Sequence, residues 1–227
     1  MSLKLTWYGH SAFSLDISGT KLLIDPFLTN NPLAPISADK AEADYILLTH
    51  AHGDHLGDTV AIALRTKATV IGVVEVANWI RKQGIDNVQA QAIGSKQSLP
   101  FGTVEFVRAD HGSSFPDGTD GGKAVGIVIE AEGKRLYFAG DTTLFPEMSL
   151  IGALGLDLAC IPIGGKYTMG PEDALTAIKL LHPKAVFPIH YNTFTEIYQD
   201  PSTWALRVNN ETSAQAIIVD PGSSFSI

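Results

Sequence analysis

Four short apolar runs in this chain each break off at a histidine or an aspartate. "YILL" (45–48) leads into His50, His52, Asp54 and His55, and "TVEFVRAD" (103–110) into His111. "RLYFAG" (135–140) leads into Asp141, and "AVFPI" (185–189) into His190. Short runs of this kind read as strands buried on both faces. Loops at strand ends are where a rigid scaffold presents its functional groups. A fold that satisfies the pattern must gather strand ends from most of the chain's length around one place. The alternative for 50–55 is a polar surface loop, but that would leave the three other strand ends unexplained.

The remaining pattern mixes strands and helices throughout. "LTWYG", "SAFSLDI" and "KLLID" read as strands, with Ser18-Gly19-Thr20 as a hairpin turn. Residues 26–40 hold three prolines and read as a loop. Val73, Val76, Ala77 and Ile80 fall on one helical face, with Gly84 as a stop. "GPEDALTAIKLLHP" has Pro171, Glu172 and Asp173 at its start and Pro183 past its end, helix signals in the right order. Asp200-Pro201 opens a further helix with Trp204, Ala205 and Val208 on one face. "AVGIVIE", "LACIPI" and "AIIVD" add strands, and a hairpin is expected around Gly133. Such mixing excludes a strictly alternating βα barrel. Two mixed sheets with helices on their outer faces accommodate it. No linker divides the chain, so residues 1–227 are expected to form one domain.

Composition narrows the class. An apolar fraction of 45% with 18% charged residues is ordinary for a globular protein. A net charge of −8 and the lack of a basic stripe argue against nucleic-acid and membrane partners. A single cysteine, Cys160, rules out an intrachain disulfide and suits a reducing cytoplasm. It lies in an apolar run and reads as an inert core thiol. There is no signal-peptide pattern and no span-length apolar stretch, so a cytoplasmic location is expected.

The site residues are of one chemical kind. His50 and His52, two apart in extended backbone, project to the same side. Asp54 and His55 follow Gly53, which lets the chain turn back. The natural division is His50, His52 and His111 for one ion, Asp54, His55 and His190 for a second, and Asp141 bridging. Imidazole and carboxylate without thiolate suit zinc, manganese, nickel or iron, and zinc is the first choice. Two ions roughly 3.5–4 Å apart lower the pKa of a shared water to about 7, which gives a hydrolytic nucleophile at neutral pH.

"THAHGDH" resembles the H-x-H-x-D-H signature of the metallo-β-lactamase superfamily. "GDT" at 140–142 resembles its bridging-aspartate motif, and His111 and His190 match its other metal histidines in chain order. "LLIDPF" is similar to its early strand-end aspartate, at Asp25. The resemblance spans nearly the whole chain and implies an α+β fold, a four-layer αββα sandwich of the glyoxalase II-like hydrolase kind, with a two-metal site along one edge. "GHSAF", "LIDPFLTNNP" and "PIGGKYTMGPEDA" look like the small metal-dependent hydrolases near the L-ascorbate-6-phosphate lactonase branch. Class B β-lactamases commonly carry cysteine where Asp141 stands, which speaks against antibiotic hydrolysis. Flavodiiron members carry glutamate at the position of His52. The RNA arm of the tRNA-processing members has no counterpart here, and persulfide dioxygenases use fewer ligands.

Around this set, Asp25 is expected to orient a metal histidine through its other ring nitrogen, or else to cap a turn before Pro26. His10 is expected at the mouth of the site, contacting substrate or leaving group; its plain alternative is a hairpin-turn histidine bonded to backbone. Asp54 is a second candidate for proton transfer, beyond its duty as ligand. His182 suits a helix C-terminus and is excluded from the site. Loop 111–123 is expected to form one rim of the cleft, acting as a lid if it is mobile, and loop 164–170 either offers Lys166 to a substrate anion or simply connects a strand to the next helix.

The expected function is therefore hydrolysis of a small-molecule ester, lactone, thioester or phosphodiester, using two divalent metal ions per chain. The competing expectations are an iron-dependent oxidoreductase on the same scaffold, a phosphodiesterase or nuclease acting on nucleic acid, and a binding module that has kept the fold. Homo-oligomers are expected to form, if at all, through exposed sheet edges.

Overall fold

A computed structural model describes residues 3–227. Its strands divide into two seven-stranded sheets. The first sheet contains β1 (Leu3–Trp7), β2 (Phe13–Ile17), β3 (Thr20–Ile24), β4 (Tyr45–Leu47), β5 (Thr69–Gly72) and β6 (Val88–Ala90). The second contains β7 (Lys96–Leu99), β8 (Gly102–Arg108), β9 (Val125–Ala131), β10 (Lys134–Phe138), β11 (Leu158–Pro162), β12 (Ala185–Ile189) and β13 (Gln215–Ala216). The last strand, β14 (Ser224–Ser226), returns to the first sheet beside β1.

Both sheets follow the same pairing order. In the first, β14-β1-β2-β3 are antiparallel and β3-β4-β5-β6 parallel. In the second, β7-β8-β9-β10 are antiparallel and β10-β11-β12-β13 parallel. Strand for strand, β1 to β6 correspond to β8 to β13. The corresponding hairpins even share a turn: Ser18 and Gly19 have φ of 50° and 94°, and Glu132 and Gly133 have 52° and 74°. Two successive left-handed residues make the tight turn whose twist matches paired strands. The two tips also touch, with the Ser18 hydroxyl donating to Glu132 Oε1 at 2.7 Å.

The inner faces of the sheets bury one continuous aromatic and aliphatic core. Phe13 on β2 packs edge-on against Phe138 of β10 and Phe187 of β12, each at 5.4 Å between ring centroids, and Trp7 meets Phe187 at the same distance. Helices cover the outer faces. α2 (Thr59–Thr66) and α3 (Val74–Lys82) lie on the first sheet, and α5 (Pro171–Leu181) and α6 (Pro201–Glu211) on the second. The short α1 (Gly53–Leu56) and α4 (Met148–Gly152) complete the set. The chain is thus the expected αββα sandwich.

The helix signals translate directly. Asp200 caps α6 by accepting from the backbone N–H groups of Ser202 and Thr203. His182 ends α5 in the left-handed conformation and is exposed, away from the site. One expected strand is mostly not formed: of "AIIVD", only Ala216 is in β13, and Ile218 is partly exposed. β13 is an edge strand, so nothing beyond it holds the run in a sheet. Among the described residues, no helix is long and apolar enough to cross a membrane.

Candidate metal centre

β4 delivers the histidine loop. Past Leu47 the chain stays buried through Leu48, Thr49 and His50, and His52 is in extended backbone at the start of α1. His50 and His52 do point to the same side, with Nε2 of one 3.0 Å from Nδ1 of the other. One turn of α1 then places Asp54 and His55 beneath them, and the His50 and His55 rings lie 4.1 Å apart. His111, from the β8–β9 connection, stands edge-on to His50 and His52 at 5.2 and 5.1 Å.

Asp141, past the end of β10, sits between the groups. Its Oδ1 lies 3.1 Å from His55 Nε2, and its Oδ2 lies 3.1 Å from His190 Nε2 and 3.6 Å from His111 Nε2. His190 Nε2 is 3.8 Å from Asp54 Oδ2. All seven residues singled out by type and position thus converge. Their donor atoms fall into close groups: His50, His52 and His111; His50, His55 and Asp141; and Asp54, His55 and His190, with His10 in the last.

A buried network behind the histidines fixes how they point. Asp25, past the end of β3, accepts from the Thr49 backbone N–H at 2.8 Å and from the Thr49 hydroxyl at 2.5 Å. It also accepts from His55 Nδ1 at 2.7 Å. Because the Thr49 hydrogen goes to Asp25, the Thr49 oxygen is free to accept from His50 Nδ1, 3.0 Å away. Both rings therefore donate from Nδ1 and turn Nε2 inward as the donor position for a cation. Thr49 is the functional residue that sequence reasoning missed. Its only signal is a hydroxyl at the join between an apolar run and His50.

The backbone around the centre is strained. Asp25, His190 and His10 have φ of 43°, 54° and 54°, a region non-glycine residues seldom occupy. Gly140, φ 59°, lets Asp141 come close: a Cβ there would stand 2.7 Å from Cβ of Thr49.

One expected feature is placed differently. His10 is not at the mouth; it is fully buried, with Nδ1 2.8 Å from the Thr193 hydroxyl and Nε2 3.3 Å from Asp54 Oδ2. Loop 111–123 is held by contacts to α3 and within itself. Phe115 is buried and stacks on Trp79 of α3 at 4.3 Å, Asp117 accepts from the Trp79 indole, and Ser114 bridges to Asp120. Lys166 lies over the ring of the neighbouring Tyr167, and both are exposed. Near His10 the wall is aromatic, formed by buried Phe27 and half-open Phe194.

Charge and burial suit cation binding. Burial pushes His50 and His111 below the usual histidine range and His10 down to about 4, so these rings are neutral donors at neutral pH. Burial opposes ionisation of Asp141, but His190 and His55 overcome it and hold the carboxyl well below its usual range. Asp54 is likewise lowered against its burial, by His10 and His55. Burial would also lower His55, yet Asp141 and Asp25 outweigh it and raise that ring well above its ordinary value. His55 Nε2 and Asp141 Oδ1 are both buried and face each other at 3.1 Å. The raised basicity of His55 puts a proton in this contact when no cation is bound, and a divalent cation held by the two atoms would take that proton's place. The donor set fits a divalent cation there.

Residues 20–191 match the beta-lactamase superfamily domain. A UPF0173 metal-dependent hydrolase of Thermus thermophilus is 47% identical over 97% of both chains. The chain belongs to the UPF0173 hydrolases of the beta-lactamase superfamily. A second UPF0173 hydrolase, from Shouchella clausii, is 45% identical over 99% of this chain and 100% of its own. Among solved structures, Igni18, a metallo hydrolase from the archaeon Ignicoccus hospitalis, superposes with a TM-score of 0.92 at 36% identity, covering 100% of this chain and 99% of that one. The one cysteine of this UPF0173 chain, Cys160, is fully buried in β11.

Proposed function

We propose that this hydrolase holds two divalent cations and cleaves a small-molecule ester, lactone, thioester or phosphodiester. His50, His52 and His111 would hold one cation, Asp54, His55 and His190 the other, and Asp141 both. The observation that carries the reading is Asp141, whose two oxygens face different histidines at 3.1 Å in a buried setting. Zinc is the first assignment, and manganese, nickel and iron suit the same donors. Bound there, divalent cations supply Lewis acidity, lowering the pKa of water to about 7 and stabilising charge that develops on a substrate oxygen.

The protein's own groups do the rest. Asp25 and Thr49 hold His50 and His55 with Nε2 inward. Asp54, ionised and the least buried carboxylate of the set at 29% side-chain exposure, is placed to accept a proton from the open side. The acidic surface favours a small substrate over a nucleic acid.

Elemental analysis of protein purified without chelator, followed by an ester, lactone, thioester and phosphodiester panel on the same sample, tests the proposal. Two equivalents of metal and turnover of one class are expected. His50→Ala and Asp141→Ala should each lose metal and turnover, while His182→Ala should keep both. Turnover by a variant stripped of metal would overturn the reading.

A further inference from the structure

We infer that His10 is an eighth donor of the centre, coordinating through Nε2 the same cation as Asp54, His55 and His190. The inference rests on the two-cation reading above and adds a residue to it. Four observations support it.

His10 is fully buried and stands among the donors, its ring 4.1 Å from that of His190 and 5.6 Å from that of His55. One donor atom from each of His10, Asp54, His55 and His190 lies within 4.8 Å of the others. The His10 Nε2–Asp54 Oδ2 and His190 Nε2–Asp54 Oδ2 separations, 3.3 and 3.8 Å, are of the size expected between neighbouring ligands with bonds of about 2.1 Å.

The other ring nitrogen is accounted for. His10 Nδ1 donates to the Thr193 hydroxyl, which passes its own hydrogen to the Tyr191 carbonyl at 3.4 Å. This is the support that metal histidines receive from the residues behind them, and it leaves the Nε2 lone pair facing the Asp54 carboxylate.

The turn is held in its strained conformation. The His10 carbonyl accepts from the Trp7 indole at 3.1 Å and from the His190 backbone N–H at 3.2 Å. These bonds lock the turn to the end of β12, beside another donor. Strain of about 1–3 kcal/mol persists only where the surroundings over-determine it.

The fold repeats the placement. His10 lies in the β1–β2 connection and His111 in the β8–β9 connection, and those strand pairs occupy the same places in the two sheets. Asp25 and Asp141 follow the corresponding strands β3 and β10 in the same way. The half of the fold that lends His111 to one cation is thus matched by the half that lends His10 to the other. The two positions become unequal, one with three histidines and the other with three histidines and an aspartate, apart from Asp141. The better-filled position is the more structural one and the sparser leaves room for an incoming group.

Cadmium-113-loaded protein labelled with nitrogen-15 in its histidine rings tests this. Six of the seven histidines should show cadmium–nitrogen coupling, with His182 silent. His10→Gln should lower the count to five and weaken one of the two cadmium equivalents 10–100-fold while sparing the other. Five coupled histidines in the unsubstituted protein, with His10 uncoupled, would overturn the inference and make His10 only a hydrogen-bond partner of Asp54. Failure to take up cadmium would overturn the two-cation reading together with it.

Discussion

Asp25 accepts the Nδ1 hydrogen of His55 across 2.7 Å, and that bond decides which nitrogen His55 turns toward Asp141. The same carboxylate reaches His50 through Thr49. One residue, remote in sequence from the histidine loop, thus sets two rings that the proposal assigns to different cations.

Asp25→Asn tests that dependence while keeping side-chain size and tolerance of the left-handed backbone. Its amide cannot accept from His55 and Thr49 as a carboxylate does. Metal affinity should fall 10–100-fold, read by competition with a chromophoric chelator. Unchanged affinity would show that His55 needs no support from Asp25.

Thr49→Val removes the shared hydroxyl at nearly constant volume, leaving His50 Nδ1 buried without a partner. A loss of about 1–3 kcal/mol of folding stability is expected, with weaker metal binding. Thr49→Ser, which restores the hydroxyl, should recover the metal binding. Chemical denaturation and metal titration of both variants decide the matter, and equal behaviour of Val and Ser would count against the relay.

Phe115→Ala should release loop 111–123. The stacked ring is buried against Trp79, so a cost of about 3–5 kcal/mol is expected. Limited proteolysis should then cut within 111–123 at protease levels that spare the parent protein. A loop equally resistant without the ring would show that Ser114, Asp117 and Asp120 suffice to hold it.

Asp157, buried at the start of β11, ties three strands: it accepts from the Arg135 backbone N–H and from Lys184, each at 2.9 Å. Burial opposes its ionisation, but Lys184 and the Arg135 N–H overcome that and lower its pKa. A lowered folded-state value means the unfolded chain binds the proton more readily. The stabilisation is therefore full above the ordinary carboxylate value of about 3.9 and lost as pH falls through the folded value. Asp157→Asn should be less stable than the parent by about 1–2 kcal/mol at pH 7, with the gap closing below about pH 4. Urea unfolding at both pH values measures it, and a gap that is constant with pH would exclude the linkage.

Much of the centre was legible because its residue types are unusual at strand ends. His50, His52, His111, Asp141 and His190 interrupt or follow apolar runs, where burial without a purpose would be costly. His10 was legible as chemistry but not as depth, since a histidine in a hairpin turn reads as surface until β12 is seen to close over it. Thr49 was hidden because a threonine at a strand end is ordinary. In the fold, the long strands β8 and β9 were plain, while β6, β7 and β14 are short edge strands with little apolar pattern. "AIIVD" failed for the opposite reason: Ile217 and Val219 pack against the core, but the pairing with β12 ends after Ala216 and the Ile217 N–H bond to Val186. Loop 111–123 read as a polar rim because its polar letters outnumber Phe115, the one aromatic residue that anchors it.

The mirrored pairing order has a consequence for how the chain can be divided. Between β6 and β7 the backbone crosses once from one sheet to the other, at 91–95. A nick in that crossing would leave His50, His52, Asp54 and His55 on one fragment and His111, Asp141 and His190 on the other. Neither fragment alone carries a full donor set, so cation uptake and fragment complementation would be linked equilibria, each strengthening the other.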